Sequence, residues 1–267
     1  MFLEISKALI LGIVEGVTEF LPISSTGHLI IINNWLRFSS SFTTLFDVVI
    51  QLGAIAAVVV VFWKKLWPFG RGSLQMSESL NLWYKVIVAV LPALVLGVLL
   101  GAVIEEKLFN PITVASALII GGLVLVFVDK KDSSALVAAE ITYKNAILIG
   151  LFQCLAMVPG TSRSAATIIG AMFLGVGRAK AVEFSFFLAV PTMVAASGYS
   201  LLKHGFTLTQ NELFVLAVGF VAAFLSALAG ITFFIKYIQN HDFKKFGYYR
   251  VVLGVVVLIL SFFSILN

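Results

Sequence analysis

The chain has 267 residues, of which 60% are hydrophobic and only 12% are charged, and its mean hydropathy is +1.07. Soluble domains have about 25% charged residues, so this composition excludes a water-soluble protein and predicts an all-α integral membrane protein. The net charge of +5 is not gathered into a basic cluster that alternates with aromatic residues, which argues against a nucleic-acid partner.

Apolar segments run through the whole chain, which predicts a single membrane domain, 1–267. A membrane-spanning helix needs about 20 apolar residues. Six segments reach or approach this length, and they are 42–63, 84–104, 112–129, 180–202, 211–236 and 247–266. Four shorter segments form two pairs, each interrupted at a proline, and they are 6–20, 24–36, 143–157 and 162–174. The order short, short, long, long, long therefore occurs twice, which predicts ten helices.

The two halves, 1–130 and 140–267, also match weakly in sequence. GIVEGVTEFLPISST at 12–26 aligns with GLFQCLAMVPGTSRS at 150–164 with one gap. The aligned pairs are Gly12 with Gly150, Glu15 with Gln153, Pro22 with Pro159 and Ser25 with Ser162. FDVVIQLGAI aligns in the same order with FSFFLAVPTM further along the chain. We predict an internal repeat of five helices.

The short pairs suggest a topology. If each is a re-entrant hairpin, each half crosses the membrane three times, so the second half is inverted and the two hairpins meet near the midplane. This arrangement places thirteen lysines and arginines on one side of the membrane and four on the other. The thirteen include Lys64, Lys244 and Arg250. Because cytoplasmic loops are enriched in basic residues, we expect both termini and the mouth of the first hairpin to face outward.

The first hairpin contains EGVTEFLPISSTGH, residues 15–28. Glu15 and Glu19 are four residues apart, so they share one face of a helix. Two buried carboxylates repel each other unless one is protonated or a cation lies between them, and carboxylates inside a membrane usually mark function. After the proline, Ser24 or Ser25 is expected to cap a new helix whose free N–H groups form an anion site. His28 follows Ser25 by three and lies on the same face.

The second hairpin contains PGTSRSAAT, residues 159–167. Its helix is also expected to begin at a serine or threonine cap. Arg163 would place a full charge at membrane depth, with a planar set of donors suited to phosphate. The alternative is a structural ion pair with one of the glutamates. If the hairpins meet, positive groups would bind phosphate oxygens, and the carboxylates would share a divalent cation with the phosphate.

These two motifs resemble the two signatures of the undecaprenyl-diphosphatase family, the bacitracin-resistance membrane phosphatases. EGVTEFLPISSTGH is similar to the first signature, and PGTSRSAAT to the second, which is usually written P-G-x-S-R-S-G-x-T. The similarity runs from the first helix to the last and includes FDVVIQLG and EFSFFLAVP. The chain departs from the pattern at Ala165, where the family usually has glycine.

The resemblance implies the removal of the terminal phosphate from undecaprenyl diphosphate, a polyprenyl diphosphate, which yields the monophosphate carrier lipid of bacterial cell-wall synthesis. It implies a multi-pass protein of the bacterial cytoplasmic (inner) membrane with a site open to the outer face. It also implies a divalent cation, Mg²⁺ or Ca²⁺, and is compatible with a homodimer.

The resemblance also assigns roles to residues. Ser25 would be the nucleophile, with Glu19 or His28 as its base, although His28 could itself be the nucleophile. Glu15 and Glu19 would hold the cation, with Gln153 as a weaker contact. Arg163 would stabilise the charge on the transferring phosphoryl group. The expected pocket also includes Ser24, Thr26, Gly27, Thr161, Ser162 and Ser164.

Two other readings compete with this one. Inverted repeats with broken helices also occur in secondary transporters, so the chain could move a lipid phosphate or a small anion. Another class of lipid phosphatases has a histidine six residues after its motif arginine, but Ile169 occupies that position here, so we reject it. Asp47 and Glu183 fit either the membrane interface or a supporting role behind the site.

Overall fold

The computed structural model describes residues 1–36, 38, 40–70, 72–129, 140–204, 208–263 and 265, and these ranges contain helices and no strand. The helices are α1 Phe2–Thr18, α2 Ser25–Leu36, α3 Ser40–Val61, α4 Trp63–Leu66, α5 Ser73–Leu108, α6 Pro111–Val128, α7 Tyr143–Cys154, α8 Arg163–Phe173, α9 Arg178–His204, α10 Gln210–Asn240 and α11 Lys244–Phe262. One 3₁₀ turn, Leu155–Met157, follows α7. The all-α prediction is confirmed.

Helix length divides these elements into two groups. Six helices (α3, α5, α6, α9, α10 and α11) are long and apolar enough to cross a membrane. By contrast α1, α2, α7 and α8 contain 17, 12, 12 and 11 residues. At about 1.5 Å per residue they are shorter than the roughly 30 Å hydrocarbon core. Each of these four helices is therefore too short to cross the hydrocarbon core alone.

Two boundaries differ from the sequence prediction. Helix α5 begins at Ser73 rather than at 84, and the one-turn helix α4 was not predicted. Helix α4 and the first turns of α5 carry polar residues next to apolar segments. A helix can include such residues where it continues beyond the hydrocarbon core. A search for apolar length alone misses such turns.

The long helices pack in a pattern that repeats. Helix α1 packs against α10, and α7 packs against α5. Helix α3 contacts α10, and α9 contacts α5, while α3 also meets α9 and α6 also meets α11. If α1 is exchanged with α7, α3 with α9, α5 with α10, and α6 with α11, the same set of contacts results.

Glycines allow the short first helix of each half to approach a long helix. A Cβ atom on Gly12 or Gly16 of α1 would overlap backbone atoms of α10, and one on Gly150 of α7 would overlap the Ala89 carbonyl of α5. Small residues permit close backbone approach between helices in membranes. Gly12 and Gly150, which the sequence alignment pairs, therefore occupy equivalent contacts.

Gly16→Ala is expected to destabilise the α1–α10 contact. The added methyl group would overlap the Ser226 side chain and the Ala223 carbonyl, and overpacking of this kind costs about 1–3 kcal/mol. The measurement is the thermal unfolding midpoint of the protein in detergent. Gly97→Ala is the matched control, because a Cβ atom at Gly97 in α5 meets nothing within 4 Å. Equal midpoints for the two variants would contradict the prediction.

Candidate active site

The two short-helix pairs bring their connecting loops into contact. We call residues 19–24, between α1 and α2, the first tip, and residues 158–162, before α8, the second tip. Ser164 Oγ, at the start of α8, donates to the Leu21 carbonyl at 2.9 Å. Arg163 Nη2 donates to Glu19 Oε1 at 3.0 Å. The first tip and the start of α8 are therefore in contact, as the sequence predicts.

A serine with an unusual backbone conformation immediately precedes α2, and another precedes α8. Ser24 has φ +71° and Ser162 has φ +70°, and they are the only non-glycine residues with positive φ in the described ranges. Ser24 Oγ accepts from Gly27 N, and Ser162 Oγ accepts from Ala165 N, each at 3.3 Å. Left-handed conformations cost non-glycine residues about 1–3 kcal/mol and cluster at functional sites.

This geometry corrects the sequence alignment by one residue, because the structural counterpart of Ser162 is Ser24 rather than Ser25. The two serines of the first tip also take different positions. Ser24 caps α2, whereas Ser25 is the first residue of that helix and its hydroxyl is not used in the cap. The cap thus leaves Ser25 available for other contacts.

A chain of polar contacts links Ser25, Glu19 and Arg163. Ser25 Oγ donates to Glu19 Oε2 at 2.6 Å, and the other oxygen of Glu19 pairs with Arg163. Arg163 Nη1 donates to the Ser185 carbonyl at 3.0 Å, and the guanidinium lies over the Phe20 ring at 5.6 Å. Arg163 thus forms an ion pair with a glutamate, the contact on which the alternative structural role of Arg163 depends. Buried Arg163 Nε donates to no acceptor in the described part of the chain.

These residues border a cavity of about 160 Å³ between the two tips. Its lining comprises Glu19, Ser24, Ser25, Thr26, Gln51, Ala156, Gly160, Ser162, Arg163 and Met193. Ser25 and Arg163 are also the first residues of α2 and α8, so the positive ends of both helices border the cavity. Such a cavity, with an arginine and two helix N-termini at its wall, suits an anion such as phosphate.

Comparison with known proteins identifies the family. Residues 8–256 match the family described as bacitracin resistance protein BacA. The chain is 51% identical to undecaprenyl-diphosphatase 1 of Clostridioides difficile (strain 630), over 96% of both chains. It is 46% identical to undecaprenyl-diphosphatase of Enterococcus faecalis, over 97% of this chain and 98% of the relative. The chain belongs to the BacA family. The resemblance based on the two motifs is thereby confirmed.

In this BacA-family chain, His28 is turned away from the cavity. Its Nδ1 lies 2.7 Å from the Ser24 carbonyl, which can only accept, so we assign the proton to Nδ1. Nε2 then accepts from the Tyr249 hydroxyl at 2.7 Å, and the two rings are stacked. Both ring nitrogens are engaged, and His28 does not line the cavity. Ser25 therefore lines the cavity and His28 does not, a difference that sequence spacing did not show.

Glu15 of the BacA-family chain is the strongest candidate for a cation ligand. Its side chain is fully buried, and no donor among the described residues bonds to either carboxylate oxygen. Glu19 and Asp47 both interact with it electrostatically. Unsatisfied buried oxygens beside other carboxylates fit a hard cation, which prefers oxygen ligands.

The described ranges do not contain three histidine, cysteine, aspartate or glutamate side chains grouped to hold a metal. A cation at Glu15 and Glu19 would therefore complete its shell with carbonyl, hydroxyl, water or phosphate oxygens. The donor set fits such an ion only with those additional ligands.

The predicted pocket residues divide into two groups. Ser24, Thr26 and Ser162 line the cavity. Four others do not belong to its lining, and they are Gly27, Gln153, Thr161 and Ser164.

Each of these four residues contacts another part of the protein. A Cβ atom on Gly27 would press on Leu118, and Gln153 Oε1 accepts from Thr192. The Thr161 carbonyl accepts from Arg250, and Ser164 joins the two tips. These contacts support the cavity wall rather than form it.

Sequence reasoning missed several residues near the site. Gln51 and Met193 line the cavity, and their only signal was their location in the two aligned segments after the hairpins. Arg250, which the sequence analysis counted among the basic residues of the cytoplasmic side, has a fully buried side chain in the structure. The available signal was a lone arginine inside an apolar helix.

The sequence left two positions open for both Asp47 and Glu183, and the structure places these two residues differently. Asp47 accepts from Asn33 at 3.3 Å and interacts with Glu15, so it lies behind the site. Glu183 pairs with the exposed Lys65 at 2.7 Å, away from the cavity. Asp47 thus lies close to Glu15, whereas Glu183 pairs with a lysine outside the cavity lining.

Proposed function

We propose that this chain hydrolyses undecaprenyl diphosphate to undecaprenyl phosphate and inorganic phosphate. The observation that carries the proposal is the contact chain from Ser25 through Glu19 to Arg163 at the wall of a cavity between two short-helix pairs. A hydroxyl, an adjacent carboxylate and a guanidinium are the groups that phosphoryl transfer through a serine requires. Relatives of nearly the same length carry the name undecaprenyl-diphosphatase.

The first step is attack by Ser25 on the terminal phosphorus. Ser25 Oγ forms a bond to phosphorus while Glu19 Oε2, at 2.6 Å, accepts the hydroxyl proton. The bond from phosphorus to the bridging oxygen breaks, and undecaprenyl phosphate leaves with the electron pair. Arg163 stabilises the negative charge that spreads over the phosphoryl oxygens, and its Nε is an available donor.

The second step hydrolyses the phosphoserine. Glu19 transfers its proton to the solvent or to the departing phosphate and then, as a base, activates a water molecule. The water attacks the phosphorus, the bond to Ser25 Oγ breaks, and the serine recovers a proton. Glu19 suits both steps because it already contacts the nucleophile on one oxygen and Arg163 on the other. His28 has no comparable contact with Ser25, which favours Glu19 as the base.

The divalent cation of the proposal, Mg²⁺ or Ca²⁺, would be held by Glu15 and Glu19. When bound, it supplies positive charge that offsets the carboxylates and the incoming diphosphate. Without it, two glutamates would repel a ligand that carries several negative charges.

We further propose the inverted-topology repeat, with two re-entrant hairpins and three spanning helices in each half. Three observations support it: the exchangeable helix contacts, the equivalent glycines Gly12 and Gly150, and the paired left-handed caps at Ser24 and Ser162.

The proposed orientation places both termini and the cavity mouth on the outer side of the bacterial cytoplasmic membrane. The buried Arg250 no longer counts as a loop charge, so twelve basic residues remain against four, and the positive-inside argument is unchanged. A homodimer stays a prediction, which light scattering on the purified protein would test.

The test of the proposed function is phosphate release by the purified protein. The protein in detergent, with undecaprenyl diphosphate and Mg²⁺ or Ca²⁺, is expected to release one inorganic phosphate per lipid. The exchangeable helix contacts also favour a second candidate, the transport of a lipid phosphate or a small anion. Binding of the lipid without phosphate release would overturn hydrolysis and favour transport.

Removal of divalent cations is expected to lower phosphate release by at least about tenfold. The reason is the pair formed by Glu15 and Glu19, of which Glu15 has both oxygens buried and unbonded within the described ranges. The measurement compares initial rates in a chelator with rates after Mg²⁺ or Ca²⁺ is restored. Glu15→Gln should weaken this cation dependence. An unchanged rate in excess chelator would contradict the cation site.

A further inference from the structure

Arg250 is the largest fully buried side chain in the described ranges, and it lies in α11. Its guanidinium faces only backbone carbonyl oxygens. Nη1 donates to the Pro22 carbonyl at 3.3 Å, and Nε donates to the Leu118 carbonyl at 3.4 Å. Nη2 donates to three carbonyls, those of Thr161 at 2.9 Å, Gly160 at 3.1 Å and Ala117 at 3.2 Å. One side chain therefore contacts three separate parts of the chain.

These carbonyls belong to the two tips and to the helix behind them. Pro22 is in the first tip, Gly160 and Thr161 are in the second, and the remaining two acceptors are in α6. Tip residues lie outside helices, so their buried carbonyls need donors from elsewhere. Gly160, at φ +89°, also lies so close to α6 that a Cβ atom would overlap the Val114 carbonyl. Arg250 thus supplies the donors that hold both tips against α6.

The charge of Arg250 is not explained by an ion pair. Within the described ranges, the buried Arg163 and the partly exposed Arg178 pair with carboxylates, whereas no carboxylate pairs with Arg250. A buried charge without a counter-ion is costly, and an apolar side chain would fill the same space without that cost. The five directed hydrogen bonds are what an apolar residue could not provide.

We infer that Arg250 is a positioning residue that sets the register of the two tips and thereby the alignment of Ser25 and Glu19 with Arg163. Pro22 lies midway between Glu19 and Ser25 in sequence, and Thr161 is two residues before Arg163. A shift of either tip would therefore move one half of the site relative to the other. The inference rests on the proposed function for its catalytic consequence, but the holding of the tips is independent of it.

The kinetic test compares Arg250→Lys and Arg250→Met with the wild-type protein. Both variants are expected to lower kcat by about 100-fold per folded molecule, since displacements of about 1 Å can cost this much. KM for undecaprenyl diphosphate should change less than about threefold, because Arg250 is not among the residues that line the cavity. Lysine keeps the charge but cannot reach five carbonyls, so recovery of kcat in Arg250→Lys would overturn the inference.

Arg178→Lys is the matched control. Arg178 Nε donates to buried Asp129 at 2.6 Å, and Asp129 also accepts from the backbone N–H of Phe243, far along the chain from either tip. Arg178 is partly exposed, at 28% of its side chain, but its partner Asp129 is buried. The variant thus also removes an arginine contact to a buried acceptor, and it is expected to keep the wild-type kcat. An equal loss of kcat in Arg178→Lys would mean that any such loss is general, which would also overturn the inference.

Amide hydrogen exchange separates the positioning role from the activity. In Arg250→Lys, peptides that cover 19–26 and 158–166 should exchange faster together, whereas Arg178→Lys should leave both unchanged. Faster exchange with no wild-type phosphate release would refute the proposed function but keep Arg250 as the residue that holds the tips. Unchanged exchange in both peptides would refute the positioning role, whatever the rates.

Discussion

Ser25→Ala is expected to lower phosphate release from undecaprenyl diphosphate by at least about 10³-fold. Ser25 Oγ lines the cavity and already donates to Glu19. The substitution therefore removes the attacking atom and leaves Glu19 with no hydroxyl proton to accept. The lost hydrogen bond also leaves one oxygen of Glu19 unpaired, which costs about 1–3 kcal/mol of stability. The measurement is kcat/KM together with the thermal unfolding midpoint.

Ser79→Ala is the matched control for this substitution. Ser79 of α5 is 7% exposed, close to the 8% of Ser25, and its hydroxyl also makes one hydrogen bond, to the Lys65 carbonyl at 2.9 Å. This variant should lose similar stability and keep its activity. Comparable rates for the two variants would show that Ser25 acts only through folding.

Trapping the phosphoenzyme identifies the nucleophile directly. Wild-type protein quenched during turnover should carry an acid-stable phosphoserine at Ser25, and Ser25→Ala should carry no label. An acid-labile phosphohistidine at His28 would overturn the serine assignment. The engaged ring nitrogens of His28 make this outcome the less expected one.

Most of the sequence-based prediction of the fold rested on the lengths of the apolar segments. Lipid requires every backbone polar group to be bonded internally, so long apolar runs predict helices. The runs interrupted at Pro22 and Pro159 predict helices too short to cross alone. The motif residues were also brought together as expected, since Glu19, Ser25 and Arg163 form one contact chain. These features depend on local composition, which a sequence displays.

The directions of several side chains depend on contacts in the folded protein, and the sequence did not show them. Spacing placed His28 on the face of Ser25, but its ring points to Tyr249, which is 221 residues away. Arg250 was counted as a cytoplasmic charge because a rule for loop charges cannot see which carbonyls surround a side chain. Ser24, not Ser25, became the cap because the left-handed turn places one hydroxyl over Gly27 N. Each case depends on a side-chain direction.

Arg163→Lys is expected to lower kcat by about 10²-fold or more, because removal of a transition-state arginine in phosphoryl transfer costs about 10³–10⁵. Arg163 bonds at once to Glu19 and the Ser185 carbonyl, and its Nε stays available in the described part of the chain. A lysine ammonium lacks this planar set of donors and cannot make all three contacts. Initial rates at saturating lipid measure the effect.

Lysine is a better test than alanine at this position. Arg163→Ala would leave Glu19 as a buried charge without its partner, and breaking a buried pair in this way costs about 3–5 kcal/mol. A loss of activity could then reflect unfolding. Arg163→Lys keeps the positive charge, so its unfolding midpoint should stay close to that of the wild type while kcat falls.

The ion pair with Glu19 offers another explanation for Arg163, namely that the arginine only stabilises the fold. Inhibition by vanadate, which resembles a transferring phosphoryl group, separates the two roles. If Arg163 contacts the phosphoryl group, Arg163→Lys should weaken vanadate inhibition about as much as it lowers kcat, because both depend on the same charge. If it only pairs with Glu19, stability would fall while vanadate inhibition of the folded fraction stayed unchanged. That second result would remove Arg163 from the catalytic step.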